Sequence, residues 1–124
     1  MSSKGSGAWR RGMNVRGLAE KLDFDVDDLL ELLDIFIDAT ISDLDELREA
    51  TERGTANRVA QCAHSIKGAA GNFGFDQIYE RATAIEANAR RGILEGSVEA
   101  GEFIREMLNA VRAALENHRQ HALG

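Results

Sequence analysis

The stretch AHSIKGAAGNFGF, residues 63 to 75, sets His64 three residues before Lys67 and surrounds both with glycine and alanine. An imidazole, whose ordinary pKa is about 6.5, offers a neutral nitrogen nucleophile near neutral pH. An ammonium one helical turn along is a point charge suited to a phosphoryl group. A helical metal site would want a second ligand three or four residues from the histidine. Those positions hold Gln61, Ala60, Lys67 and Gly68, none a good ligand, and the ammonium repels a cation, so no metal is expected. No serine or cysteine stands beside a base as a hydrolytic triad requires. Ser65 lies about 100° round the helix from His64, and Cys62 falls on the apolar side. The local chemistry thus favours a histidine that accepts and passes on a phosphoryl group.

The helical wheel separates the jobs of this segment. With His64 at zero, Val59, Cys62, Ala63, Ile66, Ala69, Ala70 and Phe73 fall within about 60° of 200°, one apolar face. Asn57, Ala60, Gln61, Lys67, Gly68 and Gly71 fall within about 60° of zero, so His64 is expected on the exposed side, opposite the core. A mid-helix glycine costs about 1 kcal/mol relative to alanine. Gly68 and Gly71 therefore need a return, and clearing side chains from the ground beside His64 for another macromolecule supplies one. Ala60, Gln61, Gly68 and Gly71 are the expected docking residues.

The elements that must hold this face are helical. Proline is absent and 44% of the 124 residues are apolar, a composition that favours an all-α domain with one core. A short helix is expected over about 15 to 22 and a long one over about 26 to 53, with Asp25 or Asp27 as N-cap. Along the latter, Leu29, Leu33, Phe36, Thr40, Leu44 and Leu47 keep the helical period, and its many acids are expected to form a solvated face. Further helices are expected from Thr55 to Phe73, ending at Gly74, from 76 to 91, and from 96 to 120, the last burying Ile104, Met107 or Leu108, Val111, Ala114 and Leu115. Short connections make this an up-down-up-down four-helix bundle with a short extra N-terminal helix, spanning 15 to 122. Residues 1 to 14, rich in Gly and Ser and carrying Lys4, Trp9, Arg10 and Arg11, are expected to be a flexible tail, native or left over from cloning.

The net charge of −6 argues against nucleic acid as partner, and no apolar run approaches a membrane span. One cysteine excludes an intrachain disulfide and suits a reducing, cytoplasmic setting. His118 and His121 are three apart near the C-terminus, a weak metal pair that reads as surface residues. Over residues 57 to 91, five bases face three acids, a local charge of +2 that suits a phosphoryl group.

HSIKGAAGNFG resembles the signature of histidine-containing phosphotransfer (HPt) domains, in which His-x-x-Lys-Gly precedes a small-residue run and a glycine ten past the histidine. His64, Lys67, Gly68 and Gly74 match, and the resemblance extends over about residues 20 to 118. It implies a four-helix bundle whose histidine is phosphorylated on Nε2 and exchanges the group with the aspartate of a response-regulator receiver domain. A sensor or hybrid histidine kinase feeds such a relay, Mg²⁺ lies on the receiver, and the bundle needs no cofactor of its own. Lys67 would then attend the phosphoryl group, and Gly68 would leave room for the partner.

The resemblance also implies a partner for the ring. In the family an acid or amide 22 residues after the histidine hydrogen-bonds the other ring nitrogen, and here that residue is Glu86. Glu86 is equally readable as an ordinary flank charge. Arg90, one turn on, either steadies the phosphoryl group or the docked partner, or complements the helix dipole. The wording HSIKG…FGF is also close to the phosphotransfer domain of chemotaxis kinases, so a free-standing carrier and a domain of a larger hybrid or chemotaxis-type kinase both fit. No ATP-binding kinase sequence accompanies the motif in this chain, so no self-phosphorylation from ATP and no enzyme activity is expected. A monomer is expected. The rival classes are a phosphorylation-independent helical adaptor, which has no need of the exposed histidine, and a metal-bearing bundle, which would need paired inward Glu and His ligands.

Overall fold

The computed structural model describes residues 14–123, and the expected tail, with Trp9 and its basic cluster, lies outside them apart from Asn14. Asn14 opens the first helix, α1 (Val15–Leu22): its side-chain oxygen accepts from the Gly17 N–H at 3.0 Å, which satisfies one of the donors a helix start leaves free. Asp23 closes α1 in the left-handed conformation, φ 62°, a backbone state that Asp tolerates better than most residues.

Four long helices follow: α2 (Val26–Glu52), α3 (Ala56–Phe73), α4 (Asp76–Arg90) and α5 (Ser97–Leu123). Asp25 occupies the N-cap position of α2 with extended backbone but makes no side-chain cap bond. Asp27 and Asp28 lie in the first turn, where the helix dipole favours them. Gly74 ends α3 at φ 73°, its N–H and that of Phe75 returning to the last carbonyls of the helix. A side chain at that φ is strained, so the glycine is what lets α4 double back along α3.

Each helix packs against its neighbour in sequence, α5 closes the ring against α2, and α1 lies across α2 and α5. This is the expected up-down-up-down bundle. Leu29, Leu33, Phe36, Ile37, Leu44 and Leu47 of α2 face Val59, Ile66, Ile78, Ile104, Leu108, Val111 and Leu115 in one buried core. Full burial of each aliphatic or aromatic side chain contributes about 1.5–3 kcal/mol. Phe36, Phe73 and Phe75 form an aromatic cluster with centroids 5.1 to 5.8 Å apart.

The acids of α2 do more than meet water. Asp34, Asp38 and Asp45 pair with Arg119, Arg112 and Arg105 of α5 at 2.7, 3.4 and 2.7 Å. The three arginines recur every seven residues, the spacing that returns a side chain to the same helix seam. The solvated face expected for α2 is thus cross-linked along its edge. Among the described residues, no helix is long and apolar enough to cross a membrane.

Candidate functional site

His64 stands in the middle of α3 with its side chain 64% exposed. Its Nδ1 lies 3.0 Å from Oε2 of Glu86 on α4. A carboxylate only accepts, so the neutral ring must carry its proton on Nδ1 and leave the lone pair on Nε2. The Gly74 turn makes this contact possible, since it sets α4 antiparallel to α3 and brings residues 22 apart face to face.

Glu86 is no flank charge. Its side chain is 9% exposed, and both oxygens are fully engaged. Oε1 accepts from the Lys67 ammonium at 2.7 Å. Oε2 accepts from His64 and from Nη2 and Nε of Arg90 at 2.7 and 3.2 Å. The Lys67 hydrogen bond, opposed by burial and aided by those from Arg90 and His64, lowers the Glu86 carboxyl from 4.5 to about 2. Glu86 therefore stays ionised at any pH the cell meets, a fixed anion under the imidazole.

The expected docking residues divide into two groups. Gly68 is exposed, and a Cβ there would meet nothing within 4 Å. Gly71 is exposed too, but the Tyr79 ring stands 3.4 Å from where its Cβ would be, so part of the cleared ground is already paved. Gln61 is exposed and accepts from Arg58 at 2.9 Å, while Arg58 also pairs with Glu46 of α2. Ala60 differs from expectation: it is 1% exposed and belongs to the core. The wheel places it on the His64 side, yet on the same flank as Lys67, where α4 packs against α3. Its small side chain lets the two helices approach rather than clearing a path for a partner.

Arg90, expected at the docking surface, spends two N–H groups on Glu86. Ser65 donates to Asp43 of α2 at 2.8 Å, closing the other edge of the histidine face. Nothing local in the sequence marks Asp43, because its partner comes from another helix. Cys62 is buried, and that burial raises its thiol pKa, so it is no nucleophile. His121 Nδ1 lies 2.8 Å from the Asn117 carbonyl, one turn back on its own helix.

The site is thus an exposed imidazole with one nitrogen tied to a buried carboxylate, on a four-helix bundle. The family model of the Hpt domain matches residues 31–114, and the chain belongs to that family, the phosphotransfer carriers of two-component relays. The crystal structure of histidine-containing phosphotransfer protein B (HptB) from Pseudomonas aeruginosa PAO1 superposes with a TM-score of 0.72 at 29% identity, covering 86% of this chain and 92% of that one. No curated protein matches the chain.

Proposed function

We propose that this protein carries a phosphoryl group on His64, taking it from and returning it to the aspartates of response-regulator receiver domains, in a relay fed by a sensor or hybrid histidine kinase. The observation that carries the proposal is the 3.0 Å contact between Nδ1 of exposed His64 and buried Glu86. Nε2 attacks phosphorus, and the N–P bond forms as the bond from phosphorus to the receiver's aspartate oxygen breaks. The electron pair leaves with that carboxylate. Nδ1 keeps its proton, so the ring becomes a phosphorylated imidazolium whose charge Glu86 offsets in place. Lys67, one turn along the same helix, supplies a cation for the phosphoryl oxygens.

Gly68 and Gly71, with Gln61 beside them, form the floor onto which the receiver docks. Mg²⁺ for the transfer is the receiver's, and this chain acts in the cytoplasm as a monomer, with no cofactor and no ATP-dependent kinase activity of its own.

The test mixes the protein with radiolabelled phospho-receiver. Label is expected to move onto the wild type and not onto His64→Gln, which should keep its helical circular dichroism. A His64→Gln protein that still takes up label overturns the assignment.

A further inference from the structure

The two oxygens of Glu86 are held from different helices. Oε1 takes Lys67 of α3, whereas Oε2 takes both His64 of α3 and the Nε and Nη2 groups of Arg90 of α4. A phosphoryl group arriving on Nε2 brings a charge of about −1.5 to −2 beside these cations. Lys67, a point charge on a flexible stem, is the one free to turn towards it. Once it does, Oε1 loses its ion pair. The Arg90 fork, one turn from Glu86 on the same helix, is unaffected by that move.

We propose that Arg90 is a positioning residue: it grips Oε2 from its own helix, holds the carboxylate against Nδ1 of His64, and keeps Nε2 free of its proton. Without it, the Glu86 side chain has Lys67 as its one remaining cation and rotates towards Oε1 contact alone, releasing Nδ1. The geometry also assigns separate duties to two cations that the sequence presents alike. Lys67 serves the phosphoryl group and Arg90 serves the base of the ring. The benefit to transfer rests on His64 being the phosphoacceptor, but the tautomer itself does not.

Imidazole ¹⁵N spectra of the full chain, followed up to the pH at which the shifts stop changing, read the tautomer directly, with His64→Gln assigning the signal against His118 and His121. The wild type is expected to be almost wholly Nδ1–H. In Arg90→Ala the Nε2–H form should rise to a comparable population, and phosphotransfer should slow by about tenfold, the lower end of the cost of losing a group that orients a metal-ligating histidine. Arg90→Lys should restore part of both, since a point charge replaces the fork. An Arg90→Ala protein that keeps the wild-type tautomer overturns the proposal, even if transfer slows, because Arg90 would then act on the phosphoryl group or the partner. Label uptake by His64→Gln would instead overturn the phosphoacceptor role and leave the tautomer result standing.

Discussion

The Lys67 ammonium sits 2.7 Å from Oε1 of Glu86, so in the free protein the cation suited to a phosphoryl group is held by a carboxylate. On the proposed role of His64, phosphorylation draws it away. Lys67→Ala is accordingly expected to slow transfer from a phospho-receiver by about tenfold. That is less than the roughly hundredfold or more lost with a donor in an enclosed site, because the His64 face is open to water. A single-turnover rate equal to wild type would show that Lys67 never leaves Glu86.

Glu86 also ties stability to pH. Its carboxyl titrates at about 2 in the fold against 4.5 for an ordinary one, so its ionised contacts stabilise the fold fully above about pH 4.5. That contribution falls as pH drops towards 2. Denaturation curves of wild type and Glu86→Gln should differ by about 1.5–3 kcal/mol at neutral pH, the scale of a hydrogen bond to a charged group. The two should converge as the solution is acidified to pH 2. A gap that stays constant across that range would mean Glu86 is not the group responsible.

Gly68 faces open space in the middle of α3. Gly68→Gln is expected to raise stability by about 0.5–1 kcal/mol through helix propensity alone while weakening receiver docking severalfold. The opposite signs are the point of the measurement. Thermal melts and receiver titrations on one sample check both, and undiminished docking would remove the case for the glycine as cleared ground.

The arginine ladder of α5 makes a prediction about salt. Exposed ion pairs contribute about 0.2–1 kcal/mol each, so replacing Arg105, Arg112 and Arg119 together by Gln should cost about 1–2 kcal/mol at low ionic strength. Most of that cost should vanish at about 1 M salt, where screening acts within about 3 Å. Chemical denaturation at the two salt concentrations checks it.

Much of this was legible in the sequence because helices announce themselves locally. The period of Leu29, Leu33, Phe36 and Leu47, the Gly74 stop and the exposed side of His64 all follow from one helix considered alone. What one helix cannot reveal is its neighbour. Ala60 lies at an exposed angle on the wheel and is buried because α4 covers that flank. The acids of α2 read as solvated because their arginines lie 60 to 85 residues away. The family resemblance left Glu86 poised between flank charge and ring partner, and its burial and 3.0 Å contact with His64 distinguish them.

The Gly74 turn has a consequence for how labour is divided in the molecule. His64, Lys67, Glu86 and Arg90 all ride on the single hairpin of α3 and α4, whereas the three-arginine ladder runs between α2 and α5. The hairpin is moored to α2 by Arg58–Glu46 and Ser65–Asp43 and shares the buried core, so the site group and the frame meet along one seam. Exposed positions such as Gly68, which touch neither the core nor α2, are where the hairpin can change without loosening that frame.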